Sequence, residues 1–147
     1  MFDNIKRNGK NYASITINSY GLVTDLKKYG VVSNKAKIVK VPDISDYLMR
    51  HVIRGLFDLD GCIYISPDPR QSRASITGNQ FVCSFIKDYI ITILNVNGSL
   101  CKHTQNETVW TWSLGGRKQL RKLYTYLYKD ATIFLSRKHN KFVEAVS

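Results

Sequence analysis

Two rhythms of apolar and polar positions run along the chain. Residues 12–17, YASITI, alternate with period two. Ala13, Ile15 and Ile17 point one way and Ser14 and Thr16 the other, which predicts a half-buried strand. Asn18 or Ser19 can cap a following helix that runs to about Tyr29, with Leu22, Val23 and Leu26 as its apolar stripe and Gly30 as its stop. KAKIVKVP (35–42) alternates again and ends at Pro42. Ser45 then caps DYLMRHVIRGLFDLDG, a predicted helix that closes at Gly61. CIYIS, a turn-rich PDPRQS and RASITG predict a hairpin, followed by a largely apolar helix from about Phe81 to Leu94. After the Asn97-Gly98 break, SLCKHTQ and VWTWSL predict a second hairpin across Asn106-Glu107. Helices from about Lys118 to Tyr128 and from Leu135 to Val146 complete the pattern.

One short pattern recurs. Ala13-Ser-Ile-Thr-Ile-Asn18 returns as Ala74-Ser-Ile-Thr-Gly-Asn79, and each copy leads into a helix. The first copy lacks a helix before its strand. The expected organisation is therefore a partial strand-helix-strand repeat over residues 1–44 and a full repeat over residues 45–147.

Composition narrows the function classes. Twenty-two Lys+Arg against eleven Asp+Glu give a net charge of +11, an excess that attracts polyanions, nucleic acid first among them. A membrane surface would call for a basic amphipathic helix or polybasic tail, and no apolar run is long enough to span a bilayer. MFDNIKRNGKNY has no apolar core and does not read as a secretory signal. Cys62, Cys83 and Cys101 are odd in number and lack C-x-x-C spacing, which speaks against a zinc site or a disulfide framework. The expected setting is cytoplasm or organellar matrix, reducing and not secretory.

The chemistry concentrates in Ile53-Arg-Gly-Leu-Phe-Asp-Leu-Asp-Gly61. Asp58 and Asp60 sit at the C-terminal end of a helix, where unpaired carbonyls disfavour anions by a few tenths to ~1 kcal/mol each. Two acids there call for something positive, and Mg²⁺, which takes one or two carboxylates plus water and phosphate oxygens, is a natural candidate. Gly55, costing ~1 kcal/mol of helix propensity, suggests close approach of another backbone. Leu48, Val52, Gly55 and Leu56 then form a helix–helix contact face, and two such helices side by side bring their acidic ends together. An EF-hand loop is excluded, because Leu56 and Pro67 stand where it needs acids.

The run IRGLFDLDG resembles the LAGLIDADG motif, with its small third residue, apolar flanks and terminal Asp-x-Asp-Gly. The order of elements after it also resembles one αββαββα repeat of the LAGLIDADG homing endonucleases. The lead-in LVTDLKKYGVVSNKAKIVKVPDI and the closing LSRKHNKF look like the intein-type branch. The resemblance implies an α+β fold with a DNA-binding antiparallel sheet, preceded here by the partial β-α repeat. It implies site-specific cleavage of double-stranded DNA with Mg²⁺ or another divalent cation such as Mn²⁺. The metal ligand falls on Asp60, while Asp58, the second acid, more often shapes the helix end. A basic residue just after the fourth strand of the repeat falls on Lys118, with Arg117 second. Some members carry a polar side chain where this chain has Gly78.

On such a sheet, alternation puts Tyr64, Ser66, Arg70, Arg73, Ser75, Lys102, Thr104, Thr111 and Ser113 toward DNA. Ile63, Ile65, Ile76, Trp110 and Trp112 would pack beneath the helices. A single motif calls for a partner helix, from a homodimer through the motif helix or from a separately encoded half. Two alternatives stay open: a catalytically weak or inactive DNA-binding regulator, and an intron RNA maturase.

Overall fold

A computed structural model describes residues 2–7, 9–29, 31, 41 and 43–147. Its strands are β1 (Phe2–Arg7), β2 (Lys10–Ile15), β3 (Gly61–Tyr64), β4 (Arg73–Gly78), β5 (Gly98–Lys102) and β6 (Trp110–Gly115). Its helices are α1 (Tyr20–Lys28), α2 (Asp46–Asp60), α3 (Gln80–Leu94), α4 (Arg117–Tyr128) and α5 (Ser136–Val146). From α2 onward the order is the αββαββα that the resemblance implies, followed by α5, the last helix expected from Leu135 to Val146.

The N-terminal unit differs from expectation. β1 and β2 form an antiparallel hairpin from Phe2↔Ile15 to Arg7↔Lys10, and β1 was not read from the sequence. The signal for it was Asn8-Gly9, the commonest dipeptide of tight hairpin turns, and Gly9 takes φ +73°. α1 follows, its Ser19 side chain accepting from Leu22 N at 3.2 Å. The expected stripe of Leu22, Val23 and Leu26 is present, but every residue of α1 is exposed. The strand expected over 35–42 falls, apart from Val41, outside the described residues. β2–α1 and β4–α3 both join the second strand of a hairpin to a helix, which is the structural form of the sequence echo.

β3, β4, β6 and β5, in that order, make a four-stranded antiparallel sheet. Helices cover one of its faces. Met49, Ile53 and Phe57 of α2 are buried, together with Val82, Ile86 and Ile90 of α3 and Leu120, Leu123 and Leu127 of α4. They meet Ile63, Ala74, Ile76, Trp112 and Leu114 from the inner face of the sheet. Each large side chain so buried contributes about 1.5–3 kcal/mol of transfer free energy. Trp112 lies fully buried across β5, and a Cβ on Gly98, which pairs with Leu114, would fall 2.5 Å from its indole nitrogen, so glycine is demanded there by close packing.

The start and end of α2 set the site. Ser45 stands at the N-cap by position, yet its side chain makes no cap bond, and Asp46 supplies the negative charge of the first turn. At the other end the chain passes directly from helix to strand at Gly61. A Cβ there would collide with the carbonyl oxygen of Phe57, so the glycine is demanded by close packing, its φ of −77° being ordinary.

Candidate nucleic-acid interface and catalytic end of α2

Asp58 and Asp60 have different surroundings. Asp58 is half-buried. Its Oδ1 accepts from the Tyr128 hydroxyl at 2.8 Å and its Oδ2 from the Leu135 backbone N–H at 3.0 Å, which ties the end of α2 to the α4–α5 connection. Burial, then the hydrogen bond to Asp58, pushes the Tyr128 phenol well above its ordinary pKa, so it stays a donor. Asp60 is exposed, and among the described residues it accepts no hydrogen bond and forms no ion pair.

Sequence reasoning missed the group that completes this end. Lys138 of α5 is 7% exposed, and its ammonium donates to Phe57 O at 2.8 Å and to Leu59 O at 3.1 Å. It is a second donor to Phe57 O, which already accepts the Gly61 N–H, satisfies the Leu59 carbonyl that the helix leaves free, and places positive charge at the negative end of the dipole. Burial lowers its pKa and Arg137 adds to that, while Asp58, Asp60 and Cys62 act in the opposite direction. A signal was available. Lys138, Phe142 and Ala145 share the buried stripe of α5, and a lysine in an apolar stripe is a buried charge that must have partners.

Lys118 takes a different place from the one expected. It is exposed on the first turn of α4 and makes no hydrogen bond or ion pair among the described residues. Gly61 aligns with Ile76 and Trp112, whereas Gly115, the last residue before that turn, aligns with Arg73 and Tyr64. Asp60 and Lys118 thus lie at opposite ends of the sheet, separated by roughly 10 Å of strand. The resemblance implied proximity; the antiparallel register puts the residue after the fourth strand at the other end of the sheet. Arg117 is half-buried and points to Val146 O at 3.4 Å.

The outer face of the sheet carries three polar rows. Tyr64 and Arg73 form the row farthest from Asp60; Cys62, Ser75, Ser113 and Ser99 form the next; Thr77, Thr111 and Cys101 form the third. Tyr64, Arg73, Ser75, Thr111 and Ser113 are where the sequence put them. Three corrections follow from the structure. Lys102 pairs with Trp110 and therefore belongs to the inner parity, with Cys101 and Ser99 outward in its place, and Thr104 lies beyond the strand. The slip arose because β5 alternates weakly: Leu100 is only half-buried, so nothing in its own pattern pins the register. Ser66, also counted outward, is buried; its N–H donates to Ser72 Oγ at 3.1 Å and closes the loop after β3. Ile63, Ile76 and Trp112 are buried as expected, and Ile65 and Trp110 pack partly against the core.

The proposed contact stripe of α2 faces outward. Leu48 is 46% exposed, Gly55 is exposed, Val52 and Leu56 are half-buried, and Leu59, on the same side, is 77% exposed. A helix that buries Met49, Ile53 and Phe57 on one side thus shows apolar side chains on the other.

Among the described residues no group of three or more His, Cys, Asp or Glu side chains converges as a metal site. The donor set still fits a divalent cation as half of a shared site: one free, exposed carboxylate, with phosphate oxygens and a second carboxylate to come from elsewhere. No described helix is long and apolar enough to cross a membrane.

No family model matches the chain, and no curated protein matches it in sequence. Among solved structures it is similar to the archaeal intron-encoded homing endonuclease I-Vdi141I complexed with DNA. The TM-score is 0.52 at 17% identity, over 68% of this chain and 67% of that one. Similarity to the I-LtrWI LAGLIDADG homing endonuclease bound to target DNA has a TM-score of 0.49 at 18% identity. That match covers 88% of this chain and 44% of the other, so the chain spans less than half its length. The homing endonuclease I-CvuI, in complex with DNA in the presence of Mg, gives a TM-score of 0.44 at 24% identity over 69% and 65% of the two chains. The assignment rests on the first: this is an α+β protein with the LAGLIDADG homing-endonuclease fold.

Proposed function

We propose that the chain is a site-specific endonuclease that cuts double-stranded DNA with a divalent cation held at Asp60. The observation that carries this reading is the setting of Asp60. An unpaired carboxylate ends α2 beside a buried ammonium, at one end of an exposed polar sheet face and next to an exposed apolar stripe. The fold it shares with an enzyme complexed with DNA supports the same reading.

Each part has a task. The outer sheet face lies in the major groove and holds the duplex in register. The Leu48–Leu59 side of α2 packs against a second such helix, from another copy or from a separately encoded half, and brings a second carboxylate to Asp60. A homodimer would read a near-palindromic site. Asp60 and the partner carboxylate would hold Mg²⁺ or Mn²⁺, which would supply charge neutralisation at the phosphate and an activated water. Lys138 sets a positive charge close to the scissile phosphate and fixes the helix end that carries Asp60; Asp58 acts as a structural tie. Gly78 offers no side chain at the Asp60 end of β4, which favours, as a second reading, a DNA-binding protein with little or no cleavage.

The test is cleavage of a plasmid library by wild type and Asp60→Asn, with Mg²⁺ and with EDTA. Linearisation at one sequence that needs Mg²⁺ and falls roughly 100-fold or more in the variant, the scale of losing one charge-stabilising group, supports the proposal. Retarded duplex in a gel without any cut supports the second reading.

A further inference from the structure

The sheet face displays few groups that are both outward and free. Arg70 is held by Asp68, with Nε to Oδ1 at 3.0 Å and Nη2 to Oδ2 at 3.0 Å, and Asp68 also engages Gln71. Lys102 sits in the Trp110 row with Glu107 at 3.5 Å. The small hydroxyls bond to one another: Thr77 to Thr111 at 3.0 Å, Ser99 to Ser113 at 2.8 Å, and His103 Nε2 to Thr111 at 3.2 Å. Arg73 differs from all of these. It is exposed, outward, on an inner strand of the sheet, and without a hydrogen bond or ion pair among the described residues. It also separates two hollows of the outer face. One, of about 520 Å³, is lined by Tyr64, Gln71, Ser75, Thr111 and Ser113 besides Arg73. The other, of about 380 Å³, is lined by Arg73 with Asn97, Gly98, Ser99, Ser113 and Gly115.

Resting on the DNA-binding reading, we infer that Arg73 is the principal base-reading side chain of this chain and that it recognises a guanine through its O6 and N7. Inner strands of a ribbon seated in the major groove lie over base edges, while outer strands lie beside the phosphate walls. A free planar fork on an inner strand therefore meets the paired acceptors that guanine alone presents. The short, mutually bonded hydroxyls around it reach bases only through water and discriminate weakly. Arg73 aligns with Tyr64, three residues along from Gly61, so the guanine lies about three base pairs outward from the bases nearest Asp60.

The experiment is binding selection from a randomised duplex DNA library in Ca²⁺, with the full chain as wild type, Arg73→Ala and Arg73→Lys. The expected result is a guanine preference of about tenfold to a hundredfold at one position of the wild-type site. Arg73→Ala abolishes that preference and leaves the others intact, and Arg73→Lys does not restore its full strength. The inference is overturned if Arg73→Ala weakens all sequences alike and Arg73→Lys rescues, which marks a phosphate contact. It is equally overturned if the preferences do not change. Enrichment of no duplex by wild type, with no shift in a gel, overturns the DNA-binding reading itself and this inference with it.

Discussion

The ammonium of Lys138 lies 2.8 Å from the carbonyl oxygen of Phe57, eighty-one residues away in sequence, and it holds the end of the helix that presents Asp60. Replacing Lys138 by Met keeps most of its volume and removes the donor to two carbonyls. Phe57 O keeps its Gly61 N–H donor while the part-buried Leu59 O is left without one, so the expected loss is about 1–3 kcal/mol, read as a lower urea midpoint. Cleavage should fall further than the stability loss explains at temperatures where the variant stays folded. Full activity in a folded Lys138→Met protein would limit this lysine to a structural cap.

The two acids of α2 should separate by assay. Tyr128→Phe removes a hydrogen bond to the Asp58 carboxylate and is expected to cost roughly 1.5–3 kcal/mol, and Asp58→Asn should also destabilise. Asp60→Asn should leave stability unchanged or raise it by a few tenths of a kcal/mol to ~1, because it removes an exposed anion from a helix C-terminus. Equal destabilisation by Asp58→Asn and Asp60→Asn would contradict this division of roles.

Gly55 tests the outward stripe. Beyond its chain neighbours and the backbone of its own helical turns, no atom lies within 4 Å of the position its Cβ would occupy. In the single chain Gly55→Ala should stabilise by up to ~1 kcal/mol, the difference in helix propensity. If two α2 helices pack there, the added methyl keeps them apart. Sedimentation should then show weaker association and cleavage should drop while thermal stability rises. A rise in stability with association and cleavage untouched would move the partner contact elsewhere.

His51 predicts a pH dependence. Its Nδ1 lies 2.9 Å from Arg54 Nη2 and its Nε2 lies 3.4 Å from Arg50 Nε. Desolvation, then Arg54 and Arg50, holds its pKa below the ordinary 6.5. The unfolded chain therefore binds more protons between the lowered value and 6.5. Stability should fall as pH drops through that window and level off below it. His51→Gln should flatten that part of the curve, seen as urea midpoints of the two proteins converging toward acid pH. Parallel curves for the two proteins would rule His51 out as the source.

Much was legible in the chain because the signals are local. Period-two runs such as RASITG and WTWSL, the Ser45-to-Gly61 helix bounds and the Asp-x-Asp-Gly end of α2 each depend on neighbours within a few residues. Local sterics and the burial of one face set them. The order of elements, the resemblance to a LAGLIDADG repeat and the candidacy of Asp60 follow from those alone. Only the tertiary structure decided which cation caps the helix end that carries Asp60, which side chains of β5 face outward, and which acid is already engaged. Those depend on register and on helix-to-helix contacts between residues far apart in sequence. Lys138 reaches Phe57 because α5 packs across the end of α2, and Lys118 is carried away because antiparallel pairing reverses direction at each strand. The hydrophobic pattern states which face is buried; it does not state which distant residue will lie against it.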